Sequence, residues 1–217
     1  IVGEALKDGY REKVLLADKM PVWLAKDEEK MKEMFETQFQ RLDVDCIDMY
    51  LVHNITAPVW KRVQKFNLMD FLKEQQAAGR IKHIGFSFHD EVELFKEVID
   101  SFDWDFCQIQ YNYLDEHSQA GRRGLQYAAA KGIPVIIMEP LRGGRLVNLL
   151  PENAKTIFAD YPVKRSAAEW GLRWLWDQQE VTVVLSGMGS EAMLRENMRI
   201  AAASHVGQIP QEERQLY

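Results

Sequence analysis

Asp48-Met49-Tyr50-Leu51-Val52-His53 decides how the rest of the chain is read. Residues 47–52 form a short run, apolar on both faces, which is the pattern of a buried parallel strand, and an imidazole follows where that strand leaves the core. Five further runs repeat the arrangement, at residues 14–17, 84–88, 106–111, Val135–Met138 and 181–185. Near their carboxyl ends stand Lys19, Ser87 with His89, Gln108 with Asn112, Glu139, and Ser186.

Amphipathic stretches of helix length lie between these runs: Glu28–Leu42, with Met31, Met34, Phe35, Phe39 and Leu42 at helical spacing, then residues 68–78, 91–101, 118–131, 166–177 and Glu191–Ala203. Lys131-Gly132-Ile133-Pro134 is the sharpest boundary, joining a basic last turn to a glycine in the left-handed cap position and the start of the next strand. Strands alternating with helices predict an α/β fold with a parallel sheet. Six such units suit either an open doubly wound sheet or most of an eight-stranded barrel. Polar groups beyond every strand converge at the mouth of a barrel, whereas an open sheet gathers them only near its switch point and usually carries a glycine-rich turn after its first strand. That turn is missing here, so the reading is a (β/α)8 TIM barrel with about six of its eight units in this chain, as a single domain over residues 1–217.

Composition narrows the function. The 217 residues carry 27 Lys and Arg against 33 Asp and Glu, a net charge of −6, which argues against a nucleic acid or an anionic membrane as partner. No apolar run reaches the ~20 residues of a membrane span and no signal-peptide pattern opens the chain, so a cytoplasmic protein is expected. Cys46 and Cys107 are the only two cysteines, without metal-site spacing, and are read as reduced thiols. Ile1-Val2-Gly3-Glu4-Ala5-Leu6 reads as the middle of a helix, which suggests a fragment.

Taken singly, the strand-end residues allow several chemistries. Lys19 could be a Schiff-base amine, a general acid or base, a cation lowering a neighbour's pKa, or a solvated loop lysine. His53 could exchange a proton with a bound oxygen or be a core histidine satisfied by a carbonyl. Gly85-Phe86-Ser87-Phe88-His89 puts histidine where a nucleophile elbow requires glycine. His83 and His89, roughly 20 Å apart along a strand, cannot share a metal. Glu139 would need a second carboxylate, such as Asp115 or Glu116, to act as a barrel glycosidase. Leu141-Arg142-Gly143-Gly144-Arg145 is either a plain turn or a close approach to phosphate. Ser186-Gly187-Met188-Gly189-Ser190 feeds the amino terminus of Glu191–Ala203, which favours an anion, although Ser190 also suits an ordinary helix cap.

In combination, and in chain order, these segments resemble the aldo-keto reductase family over essentially the whole chain. The resemblance is carried by Val14-Leu15-Leu16-Ala17-Asp18-Lys19, the segment 48–53, Gly79-Arg80-Ile81-Lys82-His83-Ile84-Gly85-Phe86-Ser87, Gln108-Ile109-Gln110-Tyr111-Asn112, Pro140-Leu141-Arg142-Gly143-Gly144, and Ser186-Gly187-Met188 through Glu196-Asn197. The wider pattern looks like the bacterial branch whose members often carry a cysteine-rich ferredoxin-like tail. The resemblance implies reduction of aldehyde or ketone carbonyls by NADP or NAD in its reduced form, through an Asp, Tyr, Lys and His tetrad. Lys19 then matches the tetrad lysine and His53 the histidine that orients the substrate oxygen. Ser87 and Gln108 match the residues that hold the nicotinamide carboxamide, Met138 the position of an aromatic that often stacks on it, and Leu141 and Gly143 the pyrophosphate path. Ser186, Gly187 and Met188 match the phosphate loop, with Glu196 and Asn197 near the adenine.

The departures from the family pattern are informative. By the same match the tetrad's Asp and Tyr, with the first two strands, belong to a segment ahead of Ile1. Phe88 stands where an asparagine usually follows the nicotinamide-binding serine. Gly187 and Met193 replace basic residues that many members aim at the NADP 2′-phosphate, with Arg195 nearby, which leaves the nucleotide open. Tyr10 and Tyr50 are poor substitutes for the acid, Tyr50 lying on the strand face opposite His53. The competing readings are a non-catalytic NAD(P)-binding barrel, serving as sensor or regulatory subunit, and a glycosidase built on Glu139. The oligomeric state and the identity of the small carbonyl substrate are not written in these motifs.

Overall fold

Asp27 starts the long helix Glu28–Leu42 by accepting the Lys30 main-chain N–H on its carboxylate at 2.8 Å, a cap worth about 1 kcal/mol. Met31, Phe35 and Phe39 make its buried stripe, and Asp43, with φ at 57°, ends it in the left-handed conformation that a short polar side chain tolerates. The computed structural model describes residues Ile1–Tyr217 and divides into two compact units, Ile1–Gln108 and Ile109–Tyr217. The elements in order are α1 (Val2–Ala5), β1 (Ala17–Met20), α2 (Glu28–Leu42), β2 (Ile47–Ile55), α3 (Ala57–Lys65), α4 (Leu68–Ala77), β3 (Ile81–Phe88), α5 (Val92–Asp100), β4 (Phe106–Gln110), α6 (Gly121–Ala130), β5 (Val135–Met138), α7 (Arg145–Asn148), α8 (Glu152–Asp160), α9 (Ala167–Trp176), β6 (Val181–Val184), α10 (Glu191–Ala203) and α11 (Gln211–Arg214). The strands follow one another across a six-stranded sheet in chain order, and β1·β2, β2·β3 and β5·β6 are parallel. This is the strand order of consecutive β-α units of a (β/α)8 barrel.

In the first unit, one face of β2 and β3 packs on helices and the other does not. Tyr50 stands edge-on to Phe35 of α2 at 5.2 Å, while Phe86 and Phe88 of β3 meet Phe95 of α5. Leu51 is in register with Gly85, on the opposite face. An added Cβ at Gly85 would lie 2.5 Å from the Phe106 ring, so the glycine makes room for that ring. Asp48, buried at the start of β2, accepts from the Leu16 N–H at 2.9 Å and forms ion pairs with Arg11 at 2.7 Å and Lys82 at 2.6 Å. Burial alone would raise its pKa, but the hydrogen bonds from Lys82, Leu16 and Arg11 outweigh that and hold it below the usual carboxylate value.

In the second unit, α9 buries Trp170, Leu172, Trp174 and Leu175, and Phe158 of α8 stacks on Trp170 at 4.9 Å with an interplanar angle of 17°. Gly132 has φ at 73°, as the boundary signal requires, and releases the chain directly into β5. β6 is half exposed, with Val183 and Leu185 about two-fifths accessible.

Two expectations need correction. The first strand is Ala17–Met20 and not 14–17: Val14 and Leu15 are exposed, and register with Met49 through Val52 of β2 fixes the strand further along the chain. Lys19 consequently lies within β1, and His53 within β2, which runs on to Ile55 and not only to residue 52. Nor are all strands apolar on both faces, since β1 carries Asp18 and Lys19, and Thr182 and Val183 of β6 are exposed. Helices α3 and α8 lie outside every stretch read as helical from the sequence.

Candidate active site

Within the first unit the parallel register of β1 and β2 pairs Lys19 with Leu51, one pleat repeat before His53 on the same face of β2. Lys19 is half-buried, and desolvation lowers its pKa against the pull of the adjacent Asp18 carboxylate. Desolvation also lowers the pKa of His53, and the Lys19 and His89 charges push it the same way. His53 is therefore neutral at pH 7, able to donate from one nitrogen and accept on the other. The Trp23 ring, which follows β1 in a short 3-10 turn, lies 4.9 Å from the imidazole at 57°. Arg62 of α3 holds that turn by donating to the Trp23 and Ala25 carbonyls at 3.2 and 3.0 Å.

Ser87 is buried at the end of β3, and its Oγ accepts the main-chain N–H of Asn54 at 2.8 Å. Asn54 is left-handed, with φ at 57°, and marks the irregularity in β2·β3 register between Val52 and Ile55. Its oxygen accepts one hydrogen bond there, and its rotatable proton can still be donated to an acceptor. Gln108 is buried in β4, two residues along the strand from the Phe106 ring that fills the space over Gly85.

Within the second unit, Met138 closes β5, half-buried, and its carbonyl accepts from the Tyr111 N–H at 3.3 Å. The chain then turns through Glu139, Arg142, Gly143 and Gly144, all at positive φ, before α7 begins. An added Cβ on Gly171 of α9 would strike Leu141 Cδ2 at 2.6 Å, so the Leu141 side chain is seated on that helix. Asp115 is committed elsewhere: Asn112 donates to it at 2.9 Å, Gln110 at 3.1 Å, and Arg142 pairs with it at 3.1 Å. Asn112 in turn accepts the Leu114 and Asp115 N–H groups and donates to the Glu139 carbonyl, so both residues fasten the loop.

After β6, Ser186 and Asn197 are brought together, the Asn197 amide donating to Ser186 Oγ at 2.9 Å. Ser190 caps α10 by accepting the Met193 N–H at 3.3 Å. Gly187 and Met188 are exposed, Glu196 is half-buried, and a Cβ on Gly187 would meet open space. Arg195 is spent on Glu191, one turn back, at 2.6 Å. The loop can thus present Ser186, Asn197 and the first free N–H groups of α10 to an anion, with no arginine aimed at it from this helix turn.

Three residues at the site have no sequence signal of their own. Trp23 lies in a turn outside the strand and helix patterns, Asn54 acts through its backbone conformation, and Gln38 belongs to the polar side of α2 yet donates to the Lys19 carbonyl at 2.7 Å.

Comparison with known proteins fits this arrangement. The methylglyoxal reductase YeaE of Escherichia coli (strain K12) is 29% identical over 85% of this chain and 63% of its own length. An NADH-specific methylglyoxal reductase of the same organism is 25% identical over 91% of this chain and 72% of the relative. The chain thus spans about two thirds of the length of these curated relatives. The holo form of the aldo-keto reductase AKR11C1 from Bacillus halodurans matches with a TM-score of 0.78 and 25% identity, covering 99% of this chain and 74% of that one. The model of the Aldo/keto reductase family matches residues 1–213, and the chain belongs to that family.

Proposed function

We propose that this protein is an NAD(P)H-dependent reductase of small aldehydes or ketones, in which Lys19 and His53 act at the carbonyl oxygen and Ser87 and Gln108 hold the nicotinamide carboxamide. The observation that carries the reading is the placement of Lys19 and His53 at the ends of adjacent strands, half-buried and close enough for one charge to depress the other group's pKa. Membership of the aldo/keto reductase family and similarity to two methylglyoxal reductases support a carbonyl substrate.

Each unit holds residues that suit part of a dinucleotide. In the first, the Ser87 hydroxyl retains a proton to donate; in the second, Gly143 takes a φ of 62° and a side chain on Gly187 would meet open space. When bound, the reduced nicotinamide supplies hydride to the carbonyl carbon. The proton that completes the alcohol falls, by the family resemblance, to the tetrad tyrosine, which matches no residue of this chain; the residues here bind and orient. Neutral His53 donates to the carbonyl oxygen and sets its angle, and the Lys19 ammonium favours negative charge developing there. The Trp23 ring packs beside the imidazole at 4.9 Å. Leu141 and Gly143 carry the pyrophosphate, and Glu196 and Asn197 flank the adenine. Tyr50 has no part in proton transfer, because its phenol donates to Gln38 on the helix side of β2 and burial raises its pKa well above the usual value.

The test is fluorescence titration of the purified protein with NADH and NADPH, followed by consumption of the bound nucleotide with methylglyoxal as the carbonyl probe. Saturable binding with turnover, lost roughly 100-fold in Lys19→Met and His53→Ala, is the expected result. Binding without turnover favours the sensor reading, and failure to bind either nucleotide overturns the proposal.

A further inference from the structure

We propose that His89 is a specificity-determining residue of this site: its imidazole stands beside His53, on the face of the sheet that also carries Ser87, and meets a second oxygen of the substrate. The preferred carbonyls then carry an oxygen on the adjacent carbon, as α-oxo and α-hydroxy aldehydes do. The inference rests on the reading of His53 as the residue that meets the carbonyl oxygen, and deepens it. It starts from where β3 sends its side chains. Phe86 and Phe88 both turn to α5, their ring centroids 5.8 and 5.1 Å from that of Phe95. Successive residues of a strand face opposite sides, so Ser87 and His89 share the face turned away from α5. His89 keeps the pattern although β3 ends at Phe88, because its N–H donates to the Ile55 carbonyl at 2.9 Å and prolongs the ladder with β2.

His53 reaches the same face from β2. Leu51 is in register with Gly85, and His53 follows Leu51 by one pleat repeat, as Ser87 follows Gly85. Between the pairs Val52–Phe86 and Ile55–Phe88, β2 spends one residue more than β3, and the left-handed Asn54 lies in that stretch. The two imidazoles are close enough that the His89 charge, with that of Lys19, pushes the His53 pKa down. Depth separates their role from that of Ser87, which is only 1% exposed while both histidines are half-buried and open to solvent. The carboxylate of Asp90, next in the chain, is committed to the starts of α3 and α5, accepting the Ala57 and Glu91 N–H groups at 2.8 and 2.7 Å. Two neighbouring imidazoles can bond two oxygens of one small molecule. A site that bonds a substrate oxygen discriminates against the analogue that lacks it.

The experiment compares the parent with His89→Leu and His89→Gln on glycolaldehyde and propanal, which differ by a hydroxyl in place of a methyl, at saturating nucleotide. Intrinsic reactivity cancels when the ratio of kcat/KM for the two aldehydes is compared between parent and variant. In His89→Leu, kcat/KM for glycolaldehyde falls about 10-fold while that for propanal stays within about 2-fold. His89→Gln, which restores a donor and an acceptor, recovers most of the preference. NMR titration of the His53 imidazole, assigned by its loss in His53→Ala, is run on the same proteins, and its midpoint moves up in both variants as a neighbouring like charge is removed. An unchanged ratio in the variants, equal losses with both aldehydes, or a His53 midpoint that does not move each overturns the proposal. Turnover by the parent with an unchanged ratio removes His89 alone; a parent that reduces neither aldehyde with NADH or NADPH overturns the reductase reading and this proposal with it.

Discussion

The main-chain N–H of Asn54 donates to Ser87 Oγ at 2.8 Å, tying a left-handed residue near the end of β2 to the buried serine at the end of β3. One hydroxyl thus satisfies a strand irregularity and keeps a proton that it can donate. Ser87→Ala should cost about 1 kcal/mol of stability, because a half-buried N–H loses its acceptor, and should also weaken NADH binding about 10-fold by removing a charge-neutral donor. Urea denaturation and nucleotide fluorescence check the two effects; a variant changed in neither removes Ser87 from the site.

Nucleotide choice should follow the charge around α10. With Gly187 and Met193 uncharged and Arg195 engaged by Glu191, NADH should be bound in preference to NADPH. Gly187→Arg or Met193→Arg adds a guanidinium for a 2′-phosphate and should shift the ratio of dissociation constants toward NADPH by roughly 10-fold. Parallel titrations with the two nucleotides measure it, and a parent that already prefers NADPH would refute the argument.

Acid should weaken the first unit through Asp48. A carboxylate held below its ordinary value in the folded state contributes stability in full above the unfolded value, about pH 4, and that contribution is lost as pH falls through the folded value. Asp48→Asn should lower stability by about 2 kcal/mol at pH 7 and flatten its dependence between about pH 5 and 3. Denaturation midpoints at successive pH values give the slope; identical slopes in parent and variant would show that another group governs acid unfolding.

Gly85 and Phe106 should be coupled. An added Cβ lands 2.5 Å from the buried ring, so Gly85→Ala should destabilise by about 1–3 kcal/mol. Phe106→Leu vacates part of that space, and the double variant should be more stable than the sum of the two losses by about 1 kcal/mol. Additive losses in the double-mutant cycle would mean that the ring simply moves aside.

Legibility in the sequence followed the source of each constraint. Helices α2 and α10 carry their own boundaries in Asp27 and Ser190, and were read to the residue. β5 follows a glycine cap and was also read in full. β1 was misplaced because the apolar Val14-Leu15-Leu16 looks more strand-like than Ala17-Asp18-Lys19-Met20, whose position comes from register with β2. α3 begins with Ala57-Pro58, a start signal weakened by the adjoining long strand. Around the proposed site, Lys19 and His53 are legible because their chemistry shows in the side chain. Gln38, Asn54 and Trp23, which meet Lys19, Ser87 and His53 through an amide, a main-chain N–H and a ring, are not, because their partners lie elsewhere in the chain.

The empty space around Gly187 bears on how such a protein changes over time. Its backbone does not demand glycine and nothing crowds a new side chain there. Every glycine codon becomes an arginine codon by substitution of its first base, and the methionine codon of Met193 becomes an arginine or lysine codon by substitution of its second. On the proposed reading, preference for one nucleotide is thus separated from preference for the other by a single base change at either of two positions, both exposed.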